Sequence, residues 1–144
     1  MKKNNGLSFF IPKKETGLNA ILINTGISAG FPSPAGDYKQ ERISLDKELI
    51  KNQEATFFAR VSGESMVNAG LEDGDLIIID RSLEPSNNKI AVCYIDGEFT
   101  VKRLRVKKGK IWLQPENSKY QPIEIKEDNE LIIWGIVTNV VKKL

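Results

Sequence analysis

From residue 55 onward the chain is a succession of short β-forming runs cut at close intervals by turn residues. That pattern restricts the fold more than any other feature. Thr56-Phe57-Phe58-Ala59-Arg60-Val61 is the first run, and Asp73-Gly74-Asp75 turns into the second, Leu76-Ile77-Ile78-Ile79-Asp80. A third spans Lys89–Ile95. Asp96-Gly97 is then a hairpin signal, and Glu98–Arg105 is the return strand. Lys108-Gly109 turns into Lys110-Ile111-Trp112-Leu113, a short strand is expected at 122–125, and Leu131–Val141 is a long last one. There is no internal repeat and no long helical periodicity. The expected fold is therefore mainly β, as two curled sheets or a partly open barrel, over residues 45–144.

Residues 1–44 read differently. Gly6, Gly17, Gly26, Gly30, Gly36, Pro12, Pro32 and Pro34 break them up, leaving only short apolar pieces at Phe9-Phe10-Ile11 and Ile21-Leu22-Ile23. The expectation is a flexible, extended N-terminal arm with a few adhesive patches. Asp46–Ile50 is expected to form one or two helical turns with Ser44 as N-cap. The arm carries six Lys+Arg against three Asp+Glu, a balance of +3, so the remaining 15 and 16 leave the rest at −1. A basic arm before a nearly neutral domain is a solvated tail more than a DNA-binding element. No zinc-finger spacing, RNA-binding aromatic signature or basic helix accompanies it.

The composition excludes much chemistry. The chain has no histidine, which removes Ser-His-Asp and Cys-His mechanisms and most metal sites. The single cysteine, Cys93, lies in the apolar run Ile90-Ala91-Val92-Cys93-Tyr94-Ile95 and reads as a small buried hydrophobe. No cofactor is called for. No apolar run approaches the ~20 residues of a membrane span, and no signal-peptide core follows Lys2-Lys3. A cytoplasmic protein without membrane attachment is expected.

A serine activated by a neutral lysine needs no histidine. Ser65, in Val61-Ser62-Gly63-Glu64-Ser65-Met66, follows a glycine that lets the backbone bend, and a short helical turn is expected to begin there. Free N–H groups at such a turn, those of Ser65 and Met66, suit a developing oxyanion. Lys102 lies inside the strand Glu98–Arg105, on the face it shares with Thr100 and Leu104 and opposite Phe99 and Val101. That is an odd place for lysine unless the strand is an edge or the residue is functional. A lysine near pKa ~10.4 cannot accept a proton at neutral pH, but burial lowers that value. The neutral amine could then take the hydroxyl proton and return it to a leaving amine. Taken singly, these are weak signals: Ser65 could simply cap a helix, and a lysine in a β-hairpin is usually a solvated face residue.

Three motifs in order, Val61-Ser62-Gly63-Glu64-Ser65-Met66, Gly70-Leu71-Glu72-Asp73-Gly74-Asp75 and Asp96-Gly97-Glu98-Phe99-Thr100-Val101-Lys102-Arg103-Leu104, resemble the LexA/UmuD family of self-cleaving Ser-Lys proteins. Pro115-Glu116-Asn117-Ser118-Lys119-Tyr120 and Gly135-Ile136-Val137 extend the likeness to the C-terminus. The resemblance implies a LexA-type β-rich catalytic domain, with Ser65 as nucleophile and Lys102 as general base. It implies a scissile bond between Ala29 and Gly30, in Ser28-Ala29-Gly30-Phe31-Pro32-Ser33-Pro34. It also implies a homodimer, cleavage stimulated by RecA filaments on single-stranded DNA, and a product that joins a UmuC-type polymerase for error-prone translesion synthesis in the SOS response. The replicative polymerase clamp is a further implied partner. Direct sequence-specific DNA binding is not implied.

Three other functions compete. A self-cleaving repressor would require a DNA-binding domain ahead of the cleavage site, and 29 residues are too few. A signal peptidase shares the Ser-Lys chemistry but would need a membrane anchor. A non-enzymatic interaction module would leave Ser65 and Lys102 inert, and self-shortening at alkaline pH separates it from the peptidase.

Overall fold

A computed structural model describes residues 7–13, 20–23, 30 and 40–144. These fall into two compact units, one made from Met1–Pro12 with Asn52–Leu144 and the other from Lys13–Lys51.

The larger unit is mainly β. Its strands are β1 (Ser8–Phe10), β4 (Thr56–Arg60), β5 (Leu76–Asp80), β6 (Ile90–Ile95), β7 (Glu98–Lys107), β8 (Lys110–Gln114), β9 (Ile123–Glu124) and β10 (Leu131–Val141). The expected curled sheets take the form of one antiparallel sheet in the order β1-β4-β5-β10-β6-β7-β8-β9. The tight turns follow their residues. Asp96 and Gly97 have φ of 47° and 87°, and Lys108 and Gly109 have 51° and 75°, the double positive φ of a two-residue hairpin turn. β6 and β7 pair in register from Ile90↔Arg103 to Ile95↔Glu98. The long β10 spans the sheet centre between β5 and β6, with register shifts at Val137/Asn139 and Ile133/Gly135.

Side-chain alternation sorts the apolar residues into two clusters. Ile77, Ile79, Val92, Val101, Val61, Met66 and Leu71 form one, with Phe99 and Trp134 packed on it. Ala91, Cys93, Leu104, Leu113 and Ile136 form the other. Val92 and Cys93 are neighbours in β6 yet belong to different clusters, as period-two alternation requires. Each fully buried Ile or Leu here contributes roughly 1.5–3 kcal/mol.

The N-terminal residues Ser8–Phe10 join this sheet at the edge of β4. Leu7 is buried in the first cluster, and the Phe9 ring lies 5.1 Å from Phe99 and 4.9 Å from Trp134. The apolar piece Phe9-Phe10-Ile11 thus contributes a strand and an aromatic contact to the unit that begins again at Asn52. In the smaller unit, β2 (Ala20–Ile23) pairs antiparallel with β3 (Gln40–Ile43). Helix α1 follows over Leu45–Leu49 with Ser44 in the N-cap position, where its side chain makes no capping bond. No helix of the described residues is long and apolar enough to cross a membrane.

Candidate active site

The loop between β4 and β5 is closed at its base by two backbone bonds. Val61 N–H donates to Asp75 O at 2.9 Å and Gly74 N–H to Val61 O at 2.8 Å. Gly63 then turns the chain with φ of 91°, a left-handed conformation that a side chain would strain, and its N–H donates to Asp73 Oδ1 at 2.9 Å. Ser65 stands just beyond this bend. A 3-10 turn over Val67–Ala69 follows, two residues later than a turn starting at Ser65. Met66 and Leu71, 2% and 3% exposed, sink the loop into the first apolar cluster. The buried Asp75 carboxylate accepts the Glu72 N–H at 2.8 Å and a bond from Lys142 Nζ, which also reaches Glu72 Oε2 at 2.8 Å. Burial raises the Asp75 carboxyl, but the bonds from Lys142 and the Glu72 backbone outweigh it and hold the group below its ordinary value.

Opposite this loop runs β7. It lies between β6 and β8, so Lys102 does not occupy an edge strand. It is 8% exposed, paired across the ladder with Ala91. Its Nζ lies 3.1 Å from Ser65 Oγ, 2.6 Å from Thr100 Oγ1 and 3.1 Å from Val101 O. The two residues singled out from sequence, 37 positions apart, are therefore in hydrogen-bond contact. Among the described residues no carboxylate reaches Lys102 within ion-pair distance. Desolvation lowers its pKa from the ordinary value; a charge on Cys93 would act the other way. Cys93 is itself pushed up to about 12 by burial, so it stays a neutral thiol at lower pH and leaves the desolvation effect unopposed.

The carbonyls around Ser65 are held from a third segment. Glu116 N–H donates to Ser65 O at 2.8 Å, and Asn117 Nδ2 donates to Glu64 O at 2.8 Å. Asn68 N–H donates in turn to Glu116 O at 2.8 Å, and Arg103 Nε bonds the Glu116 carboxylate. The N–H groups of Ser65 and Met66 donate to no described residue.

Of the other residues named from sequence, Gly30 is an exposed bend with nothing within 4 Å of the position a Cβ would occupy. Ala29 and the Phe31-Pro32-Ser33-Pro34 stretch lie outside the described residues. Sequence reasoning gave Thr100 only as a same-face neighbour of Lys102; the spacing of two along one strand was the signal for its contact. The holds exerted by Glu116 and Asn117 had no local signal.

The Peptidase S24-like family matches residues 21–138. Protein MucA of Salmonella typhimurium is 44% identical over 114 residues, 78% of this chain and 77% of its own length. Protein SamA of Salmonella typhimurium (strain LT2) is 44% identical over 124 residues, 86% of each chain. The LexA repressor of Frankia alni is 39% identical over 118 residues, 82% of this chain but 45% of the repressor. With a family match over most of its length and relatives at 44% identity covering more than two thirds of each chain, the chain belongs to the Peptidase S24-like family.

Proposed function

We propose that this protein is a self-cleaving serine peptidase of SOS mutagenesis, with Ser65 as nucleophile and Lys102 as its general base. The contact between Lys102 Nζ and Ser65 Oγ at 3.1 Å, in a desolvated setting with no carboxylate partner among the described residues, carries the reading. The neutral amine takes the Ser65 hydroxyl proton as Oγ bonds to the carbonyl carbon of Ala29. The charge that develops on the carbonyl oxygen is met by the N–H groups of Ser65 and Met66. When the bond to Gly30 breaks, the Lys102 ammonium gives its proton to the departing Gly30 amine. An ester joins Ser65 to Ala29, and a water molecule, deprotonated by the same amine, hydrolyses it. The products are residues 1–29 with a free carboxylate and residues 30–144 with a free amine. Glycine after the bond lets the backbone approach the serine closely.

RecA filaments on single-stranded DNA would stimulate the reaction by favouring the pose that presents Ala29 to Ser65, a population shift and not new chemistry. The processed form would act, as a dimer, with a UmuC-type polymerase and the replicative clamp. The similarity to MucA and SamA favours this role over that of a repressor. Incubation of the purified chain at alkaline pH, followed by intact-mass analysis, tests the reading. The expected product begins at Gly30; Ser65→Ala and Lys102→Ala remain whole, and Gly30→Glu remains whole while folded. Cleavage at any other bond, or wild-type cleavage by Ser65→Ala, refutes it.

A further inference from the structure

A trans peptide unit is rigid, with its C=O and N–H pointing in opposite directions. Whatever grips the carbonyl oxygen of one residue therefore aims the N–H of the next. The peptide joining Glu64 to Ser65 is gripped at Glu64 O by Asn117 Nδ2, at 2.8 Å. The peptide joining Ser65 to Met66 is gripped at Ser65 O by Glu116 N–H, also at 2.8 Å. Two adjacent residues thus clamp two successive peptide planes, the ones whose far ends are the Ser65 and Met66 N–H groups, which donate to no described residue.

The clamp is itself anchored. Asn117 Oδ1 accepts the Lys119 N–H at 3.0 Å, which fixes the side-chain amide with its NH2 toward Glu64. Glu116 O accepts Asn68 N–H from beyond the nucleophile, and its carboxylate is bonded by Arg103. Arg103 follows Lys102 on β7 and pairs with Gln114 at the end of β8, two residues before Glu116. One strand register therefore ties the segment that aims the peptide planes to the strand that carries the amine.

We propose that Asn117 is a positioning residue for self-cleavage: by holding Glu64 O it aims the Ser65 N–H at the oxyanion, as Glu116 does for the Met66 N–H. The inference rests on the Ser65/Lys102 reading above. It assigns Asn117 no contact with the substrate and no proton to transfer.

Asn117→Asp separates this role from that of a turn residue. The carboxylate keeps the acceptor for the Lys119 N–H but cannot donate to Glu64 O. Asn117→Ala removes both bonds without adding charge. The full chain is incubated over a series of neutral to alkaline pH values and the first-order cleavage rate is fitted to a plateau and a midpoint. Loss of a whole oxyanion donor lowers rates by about 10²–10³, so a donor left in place but no longer aimed is expected to lower the plateau at least ~10-fold in both variants. The midpoint of Asn117→Ala stays at the wild-type value, because Lys102 and its three contacts are untouched, and thermal melting shows both variants folded at the assay temperature. A plateau within about twofold of wild type in both variants, or a loss in Asn117→Ala arising wholly from a shifted midpoint, overturns the proposal. Ser65→Ala is run alongside. If it is inert while both Asn117 variants behave as wild type, only the positioning role falls; if it cleaves, the Ser65/Lys102 reading falls first.

Discussion

Replacing Lys102 by methionine separates its chemistry from its packing. The side chain is 8% exposed, so its stem is part of the interior. Lys102→Ala deletes three buried methylenes as well as the amine, about 2.4 kcal/mol at ~0.8 kcal/mol each, before any cavity penalty. Methionine restores most of that volume. It leaves Thr100 Oγ1 and Val101 O without their donor, a loss of roughly 1 kcal/mol each, but it removes a cation whose burial is itself unfavourable. Lys102→Ala is thus expected to be about 2–4 kcal/mol less stable than the parent at neutral pH, while Lys102→Met stays within roughly 2 kcal/mol. The pH dependence has a definite sign. The folded pKa of Lys102 lies below its ordinary value, so between the two the unfolded chain binds more protons than the folded one. In that window stability rises with pH. Methionine has nothing to titrate, so the stability of the lysine form minus that of Lys102→Met should climb with pH and level off above ~10.4. Burial holds the folded Cys93 thiol up at about 12, and because both forms carry this cysteine its contribution cancels in the difference. Urea unfolding at a series of pH values, in a Ser65→Ala background so that no cleavage intervenes, measures the difference. A difference that is flat or falls with pH would refute desolvation of Lys102. Self-cleavage by Lys102→Met with Ser65 intact would refute its role as base.

Two further outcomes are expected. Thr100→Val removes the acceptor 2.6 Å from Lys102 Nζ, which favours the ammonium; the midpoint of the cleavage-rate profile should move to lower pH and the plateau should fall as the amine loses its orientation. Gly135→Ala would place a methyl 2.5 Å from Ile79 Cγ2, a fully buried side chain, and 3.2 Å from Arg81 Cγ; urea unfolding should show a loss of about 1–3 kcal/mol.

The elements readable from sequence were those whose cause is local. The runs Leu76–Asp80 and Ile90–Ile95 are apolar and β-branched, and Asp96-Gly97 and Lys108-Gly109 carry their own turn chemistry, so strands and hairpins fall where the residues indicate. β1 was not readable as a strand because its three residues pair with β4 some fifty positions later, and nothing within Ser8-Phe9-Phe10 encodes that partner. The pairing of β2 with β3 hid behind intervening glycines and prolines for the same reason. In the site, Ser65 after a glycine bend and Lys102 within a strand were weak signals singly, and only the three motifs in order, through their family resemblance, singled the pair out. The hold of Asn117 on Glu64 spans 53 positions and exists only once β7 and β8 have paired.

Lys142 and Lys102 show how one fold sets the same side chain to opposite tasks. Lys142 reaches the Asp75 and Glu72 carboxylates, chiefly the former, and its pKa is raised, so it stays charged and fastens the base of the Ser65 loop. Lys102 meets three neutral oxygens instead. An ammonium can donate to all three. The neutral amine has two hydrogens for Thr100 Oγ1 and Val101 O, and its lone pair is then left for the hydrogen of Ser65. Passing from the ammonium to the neutral amine therefore reverses the direction of one hydrogen bond and orphans no buried group. A carboxylate beside Lys102 would oppose that change by favouring the cation; its absence among the described residues lets desolvation favour the base. The carboxylates that fasten the loop contact Lys142, so the loop that carries Ser65 is held without pairing the Lys102 amine beside it.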